Sequence, residues 1–195
     1  NNDIQLDNDQ TIIELRNILE NDEEVALVGP KVIGLRGEFQ SPEPFQKFWD
    51  RYVWMHISKP FMNKDSRIRR FKLDYAQNAV EGYHYKVMGS FFMVRAVDFY
   101  KCGMMDPYTF LYAEETILTE RLKAIGKKVY YYPNVSVVHA HGATTSKELG
   151  HRGISKYQIE SESYYYSKYM NVPQWQIWLG TSIYRIINSV KRIRN

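Results

Sequence analysis

With 195 residues, 26 basic against 22 acidic side chains and a net charge of +4, the chain is long enough for one domain with a substantial core. Its mix of apolar and charged residues excludes a disordered or fibrous chain. The single cysteine, Cys102, excludes an internal disulfide and reads as a small apolar residue. No apolar run approaches the roughly 20 residues of a membrane-spanning helix and no signal peptide is visible, so the sequence reads as that of a soluble or peripheral protein of the cytoplasm.

In chain order, residues 9–21 read as a helix. Asp7, Asn8 or Asp9 can cap it, and Ile12, Leu15 and Leu19 share a face. Residues 25–28 predict a short buried strand stopped by Gly29 and Pro30, with Val32 and Ile33 as a continuation and a loop over 34–44. Phe45, Phe48, Trp49, Tyr52 and Val53 fit one helix face. The run R-I-R-R-F-K at 67–72 reads as a surface strand with outward charges, or as a segment that touches phosphates. Residues 87–95 predict a buried strand in which Gly89 marks the close approach of another group. A short helix is expected at 96–102 and a turn at 103–107.

Next comes F-L-Y-A-E-E-T-I-L-T-E-R-L at 110–122, the most informative stretch. Ile117, Leu118, Leu122 and Ile125 give a helical stripe, with Gly126 as its stop. Glu114 and Glu115 fall at the mouth of that helix, where an acid either complements the helix dipole or is held on rigid backbone as a general base. Two strands, 128–132 and 135–141, are separated by Pro133 and Asn134. In V-V-H-A-H-G at 137–142, His139 and His141 alternate onto one face of a strand. Residues 155–195 are helical in pattern, with Trp175, Trp178, Ser182, Ile186 and Val190 along one side and a basic end, Lys191-Arg192-Ile193-Arg194. Strands alternating with helices indicate an α/β domain with a helical extension.

Two features suggest a metal. Asn1-Asn2-Asp3 opens the chain directly before the first helix, where one carboxylate and substrate phosphates suit a divalent cation, although frayed polar termini look the same. The pair His139 and His141 is the second feature: one of them could be a ligand, although strand histidines are often structural, and an imidazole added to carboxylate and phosphate oxygens favours manganese over calcium. The chain contains no P-loop, no G-x-G-x-x-G, no H-E-x-x-H and no C-x-x-C.

Taken in order, N-N-D, V-A-L-V-G-P-K-V-I, Q-S, G-S-F-F-M-V-R, G-M-M-D-P-Y-T-F-L-Y-A-E-E, K-V-Y-Y-Y-P and V-V-H-A-H-G resemble family 2 inverting glycosyltransferases. The similarity is to the bacterial rhamnosyltransferase-like branch that builds cell-surface polysaccharides, and it covers residues 1–146. The resemblance implies the GT-A fold, a mixed sheet flanked by helices, with 147–195 as a basic amphipathic extension. It implies that Asp3 holds Mn or Mg on the donor diphosphate and that His139 completes the metal shell, with His141 as the fallback. By the same resemblance Asn1 contacts the nucleotide-sugar donor, Gly89 lies against a sugar, Glu114 orients the acceptor and Glu115 is the general base. Glu115 stands where the family usually has Asp, and Asn1 stands at the first position of its D-x-D motif. Because the family's nucleotide-binding strands precede this motif, the chain is expected to be the C-terminal part of a larger catalytic domain.

The activity implied by the resemblance is transfer of a sugar from a nucleotide sugar to a glycan or lipid-linked acceptor, by metal-assisted single displacement with inversion. The C-terminal helix is expected to lie on the inner face of a membrane, or to pack on the domain or on a second subunit. Other classes stay open: a truncated, non-catalytic scaffold or pseudo-enzyme, and a metal-dependent hydrolase using Glu114, Glu115 and His139. A nucleic-acid binder has no recognisable motif behind it.

Overall fold

The computed structural model describes residues 3–6, 8–109, 111–140 and 143–194. It is a mixed α/β protein: a five-stranded mixed sheet flanked by helices. The sheet is organised around β5 (Lys128–His139). One edge of β5 pairs in parallel with β2 (Val25–Gly34). Its other edge is shared by two short antiparallel strands, β1 (Ile4–Leu6) toward its end and β3 (Gly82–His84) toward its start. Met93–Val94, β4, closes the far side against β2.

β2 is buried along nearly its whole length, as expected for a parallel strand covered on both faces. It runs through Gly29 and Pro30 rather than stopping there. The two strands expected at 128–132 and 135–141 are one strand, whose pairing with β2 jumps from Pro30↔Tyr132 to Lys31↔Ser136. Neither Pro30 nor Pro133 has an N–H for the ladder, so the irregularity falls where a donor is missing.

Helix α1 (Gln10–Asn21) covers one face through Leu15 and Leu19, which meet Val25, Val28 and Val135. Thr11 fills the third buried position, leaving Ile12 half exposed. The cap comes from Asn8, whose Oδ1 accepts from the Thr11 N–H at 3.1 Å. The opposite face is covered by α6 (Glu114–Ala124): Leu118 and Leu122 pack on Ala26, Leu27, Val129 and Tyr131. Gly126, at φ 78°, turns the chain from α6 into β5.

A third core joins α2, a π-helical turn Asp50–Trp54 running into Met55–Ile57, with α6, α7 (Ala143–Lys168) and α8 (Gln174–Arg194). Phe48, Tyr52 and Val53 are buried there with Tyr165, Tyr166 and Ile177, so part of the aromatic excess is a tyrosine-rich core. Phe45 lies outside the helix and is half exposed. The C-terminal region is two helices broken at 169–173, and the expected boundary at 146/147 falls within the first turns of α7.

Two further expectations are corrected. Residues 67–72 fall in and just after a helix, α3 (Lys64–Phe71), capped by Asn63, whose Oδ1 accepts from the Ser66 N–H at 2.8 Å. Phe71 alone is buried, which one helix face accommodates. The run 87–95 is mostly loop: Val87 is buried and Phe92 half-buried in the core, and only Met93–Val94 pairs as strand. Between these runs lies α4 (Tyr75–Asn78); after the second comes α5 (Ala96–Lys101), beyond which the half-buried Cys102 Sγ–H donates to the Phe99 carbonyl at 3.2 Å.

Candidate active site

The mouth of α6 is built on a tight turn. Tyr112 and Ala113 both have left-handed backbones, φ 67° and 64°. Non-glycine residues held so cost on the order of 1–3 kcal/mol each and persist only where the surroundings fix them. Ala113 is buried in the third core, which anchors the turn. Out of it project the two carboxylates of the first helical turn.

Glu115 reaches Lys86 at 3.0 Å, and Lys86 also meets Glu43 at 3.2 Å. Burial alone would lower the Lys86 pKa, but the charges of Glu115 and Glu43 more than offset it and raise it, so the ammonium stays charged. Gly89 lies directly beside this carboxylate: a Cβ there would come within 3.3 Å of Glu115 Oε2. The close approach expected at Gly89 is thus to the carboxylate of Glu115. Glu114 differs. Its Oε2 is buried with no hydrogen-bond partner among the described residues, and burial, followed by the charge of Glu115, pushes its pKa up.

Glu115 opens into a cavity of about 290 Å³ whose lining includes Lys86, Glu43, Arg51, Glu162 and Tyr165. Arg51 grips Glu162 through two hydrogen bonds, 2.7 and 3.1 Å, and Gln158 adds a third at 3.0 Å. Tyr85 and Tyr165 share a hydroxyl contact of 2.6 Å, and burial pushes Tyr165 up to about 12. The walls therefore offer aromatic faces together with fixed donors and acceptors.

Asp3 and His139 form a second cluster. The β1–β5 register sets Ile4 opposite His139, and the Ala140 N–H donates to the Asp3 carbonyl at 3.1 Å. Buried His139 holds Gln40 Oε1 through Nδ1 at 2.8 Å and aims Nε2 at Asp3 Oδ2, 3.4 Å away. That contact is an ion pair when the imidazole is protonated. A carboxylate oxygen and an imidazole nitrogen are donor types that a divalent cation accepts, so Asp3 and His139 are the residues here that could hold one. Among the described residues no group of three or more His, Cys, Asp and Glu converges.

The sequence-derived residues thus fall into two groups, Gly89, Glu114 and Glu115 in one and Asp3 and His139 in the other. Neither Asp3 nor His139 lines the cavity. Residues 40–43 join the groups: Gln40 holds His139, the Ser41 hydroxyl accepts from the Met88 N–H at 3.2 Å, and Glu43 holds Lys86. Asn1 and His141 lie outside the described residues. Lys86, Glu43, Arg51 and Glu162 carry no signal in the sequence; their partners are far away along the chain, and no local pattern marks them.

Compared with protein-family models and with curated proteins, the chain matches none.

Proposed function

We propose that this chain carries the acceptor side of a GT-A, family-2-like glycosyltransferase that moves a sugar from a nucleotide sugar to a glycan or lipid-linked acceptor with inversion. The observation that carries the proposal is the Glu115 carboxylate, held at the mouth of α6, laid bare by Gly89 and facing a polar, aromatic cavity. An acceptor sugar in that cavity brings a hydroxyl to Glu115. Glu115 takes the proton, the acceptor oxygen bonds to the anomeric carbon, and the bond to the diphosphate breaks on the opposite face. Lys86 orients the carboxylate, while Arg51, Glu162 and Gln158 offer hydrogen bonds to ring hydroxyls. Asp3 and His139 would hold Mn or Mg, which when bound neutralises charge on the departing nucleoside diphosphate.

The experiment is transfer from nucleotide sugars to glycan and glycolipid acceptors by the protein that carries this chain, with the anomeric configuration of the product read by NMR. An inverted product whose formation needs a divalent cation supports the reading; a retained configuration overturns it. A second reading, a sugar-binding module without turnover, draws on the same Arg51–Glu162 pair and tyrosines. Tight acceptor binding with no transfer from any donor would favour that module.

A further inference from the structure

We propose that the outward face of α8 is a docking surface for an anionic lipid bilayer. This goes beyond the proposed transfer chemistry and does not rest on it.

The inward face of α8 is committed to the fold. Ile177, Gly180 and Thr181 are buried, and Tyr184 packs edge-on against Tyr52 and His56, with ring centres 5.5 and 5.0 Å apart. At Gly180 the approach is so close that a Cβ would fall 2.6 Å from the Phe48 ring. One side of the helix therefore suffices to hold it.

The other side is nevertheless apolar. Trp175, Trp178, Leu179, Ile186 and Val190 recur at spacings of three, four or seven residues, and two of them are indoles exposed to 63% and 70%. Single exposed apolar residues are ordinary, but five on one helix face form a stripe. Arg185, exposed, lies beside it, whereas Lys191, also exposed, lies on the inner side near His56. The chain carries no Asp or Glu after Glu162, yet in that stretch it carries Lys168, Arg185, Lys191, Arg192 and Arg194.

Indoles beside cations, without carboxylates, are the composition of a helix lying in the plane of a headgroup region. Among the described residues no helix is long and apolar enough to cross a membrane, so contact would be made from one side. A second copy is a poorer occupant, because a two-fold pairing of this face would set its own cations against each other.

The test is co-sedimentation of the full chain with vesicles of pure phosphatidylcholine and of phosphatidylcholine mixed with phosphatidylglycerol. Binding is expected to the anionic vesicles, with blue-shifted tryptophan emission, and to fall as salt screens the charges. The W175S/W178S variant, whose side chains do not support the core, is expected to melt like the wild type and to lose about tenfold in partitioning. R185Q is expected to lose about fivefold. Absence of binding to anionic vesicles, or binding by both variants equal to wild type, overturns the proposal. So does a dimer that W175S/W178S dissolves without any vesicle binding, since the face would then belong to a second copy.

Discussion

Two carboxylate clusters flank α6, and they differ in how completely they are closed. Asp106, in the loop before the helix, has a side chain with no exposure. Its Oδ2 accepts from Arg121 at 2.8 Å, Tyr164 at 2.9 Å and Tyr169 at 2.6 Å, with Lys168 at 3.4 Å, while Oδ1 accepts from the Tyr108 N–H at 3.0 Å. Burial alone would raise its pKa, but the bonds from Tyr169, Tyr108 and Tyr164 and the charge of Arg121 hold it well below the usual carboxylate range. At the mouth of α6, among the described residues, Glu115 has a single cation, shared with Glu43, and a cavity in front of it, while Glu114 keeps one buried oxygen without a partner. Carboxylates beside α6 thus make a closed strut at Asp106 and an open arrangement at Glu115. The difference lies in unsatisfied capacity, not in charge.

The sharpest way to break this comparison is to cut the strut. Asp106→Asn leaves Arg121 and Lys168 facing a neutral group and is expected to lower unfolding free energy by about 3–5 kcal/mol in urea titrations. Because the folded pKa lies below the ordinary 3.8, this contribution is complete above pH 3.8 and is lost as pH falls below it. The variant should therefore lose part of the wild type's acid sensitivity. Arg51→Met leaves Glu162 unpaired beside the cavity, and about 2–3 kcal/mol should be lost on the same assay. Gly89→Ala presses a methyl toward Glu115. Stability should change by less than about 1 kcal/mol, whereas sugar transfer should fall on the order of tenfold; a normal rate would mean the carboxylate does not need that space. The smallest effect belongs to Glu114→Gln. Burial raises the Glu114 pKa, so its ionised form costs stability at neutral pH, and that cost disappears below its ordinary 4.5. The variant should melt slightly higher at pH 7 and like the wild type in acid; a lower melting point at pH 7 would mean that the charge has a partner.

α6 is readable from sequence because its information is local. Ile117, Leu118 and Leu122 repeat at helical spacing and are fully buried, and Gly126 adopts the positive φ expected of a stop. The acids at its start are readable for the same reason. α3 reads as a strand because its only buried residue, Phe71, gives no period to choose by, and the deciding contact is the Asn63 cap. The run 87–95 looks like a strand because it is apolar, but Val87 and Phe92 enter the core from a loop. The ion pairs of the cavity wall leave no trace: Arg51 meets Glu162 across 111 positions and Lys86 meets Glu115 across 29, separations at which no motif operates. Asp3 and the histidine strand are each legible as ligand types, but no spacing in the sequence joins them; their pairing arises from the β1–β5 register.

The most direct test of an open site at Glu115 is Glu115→Gln, with transfer rate and melting curve measured on the same preparation. Turnover is expected to fall by about 10²–10⁴-fold while the melting point stays within a few degrees of wild type. Near-normal turnover, or a collapse of stability like that of Asp106→Asn, would contradict an open site and make Glu115 a second strut.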